Sequence, residues 1–400
     1  MAEQESAFAI RDVSLVDGNG GPAVPGQAVI VEGTRIRWIG PASQLADGDR
    51  LTVIDGNGRS LLPGLINCHV HLCHDGAPDL FAQARTDSPT VATLRGSLNL
   101  QLTLRSGVTT VRDCGAANNV AIELARAVES GLVTGPRVLA AGRVITMTGG
   151  HGYFIGREAD GPDAVRAATR AEIKQGAHFI KAMATGGVLT PGVTPTQTAL
   201  QPDELAEVAR EAHNAGRRAA CHAIGNAGIK NAVRAGIDSI EHAYYLDDEA
   251  LELMVDRGTY VVPTLLAGHQ IISNGKAGRV PPWITEKSLA SAAHHQASFA
   301  AAVKSGLNIA AGTDAGTPFN PHGDLAAELK LMVEYGLRPA DAVMAATRNA
   351  AANLGLLDDT GTIEVGKRAD LILVEGDPNT DIDCVSRVSY VVSNGRTIET

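Results

Sequence analysis

Apolar and polar positions along the chain fall into two regimes. Residues 7–62 alternate short β-type runs, "FAIRDVSLVDG", "AVIVEGTRIRWIG" and "RLTVIDGNGRSLLPG", interrupted by Gly, Asp, Asn and Pro. This is the pattern of hairpins in a small antiparallel sheet. The end of the chain repeats it in "GTIEVGKRADLILVEG" and "VSRVSYVVSNGRTIE", the second carrying an Asn-Gly turn signal.

Between these β-rich ends the pattern becomes strand, turn and helix in repetition, which predicts βαβ units and a parallel sheet. Eight short apolar runs stand out: "LINCHVHL", "VTTVRDCG", "RVLAAG", "HFIKAM", "RRAACHA", "SIEHA", "YVVPTLL" and "NIAAGTDAG". Eight is the number of strands that closes a (β/α)8 barrel. The intervening stretches have helical periodicity. In "PDELAEVAREAHNAG" (202–216), Leu205, Val208, Ala209 and Ala212 recur at helical spacing and Gly216 stands where a C-cap belongs.

The first run raises a chemical question. Side chains alternate along a strand, so His69 and His71 share a face and can grip one ion. Lys181 lies in the fourth run, His222 in the fifth, His242 in the sixth and Asp314 in the eighth. Each is at or near the carboxyl end of its run, where a barrel assembles its active site. Four imidazoles and a carboxylate suit zinc or another borderline divalent ion. Lys181 is the odd member, because an ammonium cannot ligate a metal and is costly to bury beside cations. A lysine amine that has captured CO₂ becomes a carbamate, an anion able to bridge two metals that together polarise a carbonyl and generate hydroxide. Taken singly, an HxH pair or a lone strand lysine is more often structural. Six such residues at the same end of five runs make a metal site the stronger reading.

Composition narrows the picture further. With 44% apolar and 20% charged residues the chain is of ordinary globular type. A net charge of −10 without a clustered Lys/Arg stripe argues against a nucleic-acid or anionic-membrane partner. No apolar run approaches the roughly 18 residues of a spanning helix, and acidic residues stand in "MAEQES" where a secretory leader needs basic ones, so a cytoplasmic setting is expected. Cys68, Cys73, Cys114, Cys221 and Cys384 are odd in number and lack CxxC spacing, which argues against disulfides or a cysteine zinc site and leaves them as small buried filler.

The HxH of "NCHVHL", the Lys of "HFIKAM", the His of "AACHAIG", the His of "SIEHAYYLDDE" and the Asp of "AAGTDAG" occur in the order found in metal-dependent hydrolases of the amidohydrolase superfamily. The chain resembles that superfamily over nearly its whole length, "GKRADLILVEGDP" included. The resemblance implies an α/β fold, a (β/α)8 TIM barrel over 63–355 with a small β-sandwich domain formed by the N- and C-terminal segments, 1–62 and 356–400. It implies that His69, His71 and Asp314 hold the more buried of two zinc-like ions, that His222 and His242 hold the more exposed one, and that carbamylated Lys181 bridges them. Asp314 would accept a proton from the attacking bridging hydroxide and pass it to the leaving amine. "TGGHG", "IKAMATGGV" and "IEHAYYLDDE" look most like the imidazolonepropionase-related branch that includes Xaa-Pro and Xaa-Arg dipeptidases. In that branch a tyrosine after the sixth-strand histidine polarises the scissile carbonyl. Tyr244 and Tyr245 both offer themselves, with Tyr244 favoured as the residue on the face of His242, and His151 would help hold the substrate.

The expected activity is therefore hydrolysis of an amide bond in a dipeptide or N-acyl amino acid, a small-molecule substrate. Carbamate, urea or cyclic-amide hydrolysis on the same metals is the nearest alternative, followed by a mononuclear deaminase and a binding protein that has lost its chemistry. A homo-oligomer is compatible with the resemblance. Among the other histidines, His151 has a substrate contact or a loop-packing role open to it. His74 and His322 lie in loops on the catalytic side, while His178, His213, His269, His294 and His295 are expected at the surface or in packing. Arg112, Arg157 and Arg279 are candidate partners for a substrate carboxylate, Arg112 equally for a structural ion pair. Segments 72–90, 188–201 and 269–288 are the expected pocket walls.

Overall fold

The computed structural model describes residues 7–45 and 51–399. The acidic residues 1–6, on which the expectation about a leader rests, lie outside the described residues. The eight runs form the staves of one barrel. Seven contain strands, Leu65–Val70, Val108–Asp113, Arg137–Ala140, Ile180–Met183, Ala219–Ala223, Ser239–His242 and Tyr260–Val262. Their neighbours pair in parallel, except that the third and fourth are joined through Val144–Thr146, which pairs with the fourth at Ala182↔Ile145, and by the His178 N–H donating to the Ala140 carbonyl at 2.8 Å. The eighth run closes the ring through parallel bridges Val261↔Ile309 and Val70↔Ala315. The staves are buried except at the first residues of some, as expected where helices cover the outside of a parallel sheet.

The helix expected at 202–216 spans Pro202–Asn214. Pro202 opens it, Gln201 and Glu204 form a capping box, and Leu205, Val208, Ala209 and Ala212 are buried on its inner face. Gly216, at φ +66°, takes the left-handed conformation that ends it. Among the described residues no helix is long and apolar enough to cross a membrane. All five cysteines are free and buried.

Both β-rich ends enter one eight-stranded sheet, joined where Ser60–Pro63 pairs antiparallel with Leu371–Val374. Here the expectation of a purely antiparallel sheet needs correcting. Ala7–Leu15 pairs antiparallel with Val24–Glu32 but parallel with both Thr52–Asp55 and Ser60–Pro63. It changes partner around Asp12, whose φ of 53° marks an irregularity in the strand. Phe8, Ile10, Val29 and Ile36 from one end of the sheet therefore share a core with Leu61, Leu371, Leu373 and Val392 from the other. Asn394 and Gly395, both at positive φ, make the two-residue turn between Val388–Ser393 and Arg396–Ile398.

Candidate metal centre

The six residues singled out by sequence line one cavity at the carboxyl end of the barrel. His69 is fully buried and His71 nearly so, and their Nε2 atoms lie 3.4 and 3.3 Å from the same atom, Asp314 Oδ1. The ring of His242 is 5.1 Å from His69 and 4.5 Å from His222, centroid to centroid. His69, His242 and Asp314 offer ligand atoms all within 4.8 Å of one another.

Hydrogen bonds on the far side of each imidazole decide which nitrogen faces inward. His69 Nδ1 is 2.7 Å from Glu241, and a carboxylate only accepts, so Nδ1 carries the proton and Nε2 the lone pair. His71 Nδ1 donates to the Gly115 carbonyl at 2.9 Å, again leaving Nε2. His222 reverses the choice: Nε2 donates to the Gly186 carbonyl at 2.9 Å and Nδ1 is left. His242 Nδ1 is 2.7 Å from Thr264 Oγ1, whose own proton goes to the Pro263 carbonyl at 2.7 Å, so the hydroxyl accepts and His242 Nε2 is free. Four lone pairs thus remain for a ligand, and Asp314 Oδ1 is buried with no hydrogen-bond partner. A buried carboxylate oxygen left so is costly unless a cation binds it.

Electrostatics agree. Burial first, then Lys181, lowers the His69 pKa to about 4, and burial holds His222 and His242 well below the usual imidazole value. These three rings are neutral at neutral pH, as metal ligation requires; at His71 burial is outweighed by the contact with Asp314, which raises its pKa. Burial opposes the charge on Asp314, yet His69, His71 and Lys181 together keep it ionised. Lys181 is 1% exposed and, among the described residues, has no carboxylate within ion-pair distance. An isolated buried ammonium is unfavourable, whereas a carbamate there would add an anion to the metal-binding set.

The backbone at the strand ends is bent to this purpose. His242, Ala243, Thr264 and Asp314 all have φ between 51° and 75°, a conformation that costs non-glycine residues on the order of 1–3 kcal/mol and concentrates at functional sites.

Sequence reasoning missed Glu241. It is fully buried, accepts from His69 Nδ1, from Arg112 Nη2 at 2.6 Å and from Ser239 Oγ at 2.8 Å, and burial is overridden by Arg112, Lys181 and His69 to keep it charged. The only signal was an acid beside His242 in a buried run; strict alternation would set the two on opposite faces, and His242 departs from it with a φ of 75°. Cys114 approaches His69 and Glu241, but burial pushes its thiol up to about 12 and the proton on His69 Nδ1 faces that side, so this group is no metal site.

The arginines offered for a substrate carboxylate need correcting, because none lines the cavity. Arg112 is the ion-pair partner of Glu241, Arg157 pairs with buried Glu172 at 2.8 Å, and Arg279 lies over the Phe319 ring. Each is drawn to a nearer protein group than a ligand would be. Tyr244 lines the cavity and stacks on buried His295 at 3.7 Å, whereas Tyr245 faces away against His294. His151 lines it too, 4.4 Å from the His222 ring, with Nδ1 2.9 Å from Thr190 Oγ1. His74 is in the wall and His322 supports it from behind, while His178, His213 and His269 lie elsewhere. The segments expected as walls contribute Leu80, Val188, Leu189, Ile271 and Ser288.

The amidohydrolase family model matches residues 60–398. Ochratoxinase of Aspergillus niger is 31% identical over 403 residues, covering 92% of this chain and 81% of that protein. Imidazolonepropionase of Rhizobium rhizogenes is 28% identical over 391 residues and 88% of each chain. A solved Xaa-Pro dipeptidase with methionine bound in its active site has a TM-score of 0.92 at 34% identity, over 99% of this chain and 100% of that one. Barrel and β-rich ends match together, in sequence and in three dimensions, and the chain belongs to the amidohydrolase family of hydrolases that act on carbon–nitrogen bonds.

Proposed function

We propose that this amidohydrolase uses two divalent metal ions, zinc by the chemistry of its donors, to cleave the amide bond of a dipeptide or N-acyl amino acid. The observation that carries the reading is the convergence of four imidazole lone pairs, the unpartnered Asp314 Oδ1 and the unpaired Lys181 on one cavity. Bound metals would polarise the scissile carbonyl and supply the nucleophile at neutral pH. His69, His71 and Asp314 would hold one ion, His222 and His242 the other, with Lys181 as its carbamate between them. Asp314, kept ionised, is the group to take the nucleophile's proton and return it to the leaving amine.

Two further side chains orient the substrate. Burial pushes the Tyr244 phenol well above its ordinary pKa, so it stays protonated and donates to an oxygen. Thr190 Oγ1 accepts from the Gly152 N–H at 3.2 Å, and its own proton has His151 Nδ1 as the available acceptor, which leaves His151 Nε2–H as a donor. With no arginine among the described residues of the wall, these neutral donors are the candidates to hold a carbonyl or carboxylate. Leu80, Phe154, Ile155, Val188, Ile224 and Ile271 make the rest of the wall apolar and favour a bulky hydrocarbon group. The Xaa-Pro dipeptidase among the similar structures supports amide hydrolysis as the reaction. Five free, buried cysteines fit the reducing cytoplasm.

The test is metal content per chain, on protein purified with bicarbonate and zinc, followed by a dipeptide and N-acyl amino-acid panel. Two ions and turnover are expected. Lys181→Ala should lose metal and rate together, with partial recovery when short carboxylic acids supply the missing bridge. One ion per chain would favour the mononuclear deaminase, and a fully loaded but inactive protein would overturn the amide-hydrolase reading.

A further inference from the structure

The cavity wall contains an imidazole acceptor that the proposed chemistry does not use. His74 follows the first stave, is 4% exposed and lines the cavity. Its backbone is clamped: the carbonyl accepts from Asn99 Nδ2 and from His322 Nε2, both at 2.9 Å, and its N–H donates to the His71 carbonyl at 3.0 Å. Its ring is oriented as well. Gln83 donates through Nε2 to Asp75 at 2.8 Å, so the atom it turns toward His74 Nδ1, at 3.3 Å, is its amide oxygen. Arg95 holds Asp75 in turn at 3.0 Å. An amide oxygen only accepts, so His74 Nδ1 carries the proton and Nε2 is a bare lone pair. That atom is buried and has no partner among the described residues.

An acceptor fixed by this many partners, in a wall that also holds Leu80, Phe154 and Ile155, is unfavourable unless something donates to it. Resting on the hydrolase reading, we propose that His74 is a specificity-determining residue whose Nε2 accepts a hydrogen bond from a neutral O–H or N–H on an otherwise apolar part of the substrate. A neutral donor is favoured over an ammonium because, among the described residues, the cavity wall holds no carboxylate besides Asp314. Substrates that place a hydroxyl or amide N–H there satisfy the nitrogen, and those that place a methylene there leave it unpaired.

The test uses phenylacetyl-leucine and its ortho, meta and para hydroxyl isomers. Dissociation constants are measured by calorimetry on the zinc-loaded protein, and kcat/KM on the same compounds. The expected result is that one isomer binds about tenfold to a hundredfold more tightly than the parent, and that His74→Phe removes this preference. If no isomer is preferred, if none binds, or if the preference survives in His74→Phe, the proposal is overturned. His74→Asn, smaller and polar, repeats the comparison should the Phe variant fail to fold. The two readings fail separately. Discrimination in binding without turnover of any compound would sink the N-acyl amino-acid reading and leave His74 standing. Turnover of all four compounds at equal kcat/KM would do the reverse.

Discussion

Replacing Glu241 with glutamine tests how the barrel interior tunes the metal centre. Three donors converge on its carboxylate, from His69, Arg112 and Ser239, and both Glu241 and Arg112 are buried. Glutamine has one acceptor oxygen, and its NH₂ would be turned against a donor. Removing the charge strands the Arg112 guanidinium, and breaking a buried pair from one side costs about 3–5 kcal/mol, a large share of a typical stability of about 5–15 kcal/mol. Separately, His69 loses the partner that fixes its tautomer, and loss of such support typically weakens metal binding about 10–100-fold. That equals about 1.4–2.8 kcal/mol. The assay is competition for zinc with a graded series of chelators, at a temperature where circular dichroism shows the variant folded. Glu241→Leu combined with Arg112→Met separates the two effects, since it removes the stranded cation without restoring an acceptor for His69. The double variant should regain part of the lost melting temperature and keep the weakened affinity. Zinc binding within about twofold of the parent for Glu241→Gln, or full recovery of affinity in the double variant, would refute the reasoning.

Other outcomes follow from single contacts. Asp314→Asn should fold and retain much of its metal, because asparagine tolerates the φ of 59° at that position, while turnover falls about 10²–10⁴-fold with loss of the proton relay; substantial activity in a kcat measurement would assign the base elsewhere. A Cβ on Gly187 would lie 2.4 Å from His151 Nε2, so Gly187→Ala should displace that ring and lower kcat/KM about tenfold to a hundredfold, with metal content unchanged by elemental analysis. Burial raises the Glu328 pKa from 4.5 to about 8, against the two backbone N–H groups of Leu265 and Leu266 that it accepts. A raised carboxyl pKa means the folded state holds a proton that the unfolded chain releases, so this contribution to stability is full below about pH 4.5 and is lost as pH rises to about 8. Melting temperatures measured across that window should fall less steeply for Glu328→Gln than for the parent.

Much of the centre was legible because the needed information is local. Period-two alternation puts His69 and His71 on one face, and the position of a residue within a short apolar run tells which end of the barrel it occupies. The choice between Tyr244 and Tyr245 was harder. Both follow His242 closely, and the backbone turns into the left-handed region at His242 and Ala243, where strand periodicity no longer predicts direction. The three arginines looked equivalent because composition says nothing about which acid each one meets. Arg112 finds Glu241 129 residues away, and that pairing removes it from the substrate.

The sequence by itself determined the eight apolar runs, the helix with its cap at Pro202–Asn214, the hairpin at Asn394-Gly395 and the six residues at the mouth of the barrel. Each depends on neighbours within a few positions, through side-chain periodicity, proline and glycine geometry, and the chemistry of the residue itself. Tertiary structure alone decided the rest: that Ala7–Leu15 takes partners of both directions, that Glu241 sits between Arg112 and His69, that Gly186 selects Nδ1 of His222 as its inward atom, and that His74 keeps an unpaired nitrogen. These are contacts between distant segments. Periodicity assigns a side chain to a face, but the partner it meets there depends on which strands and loops the closed barrel brings together.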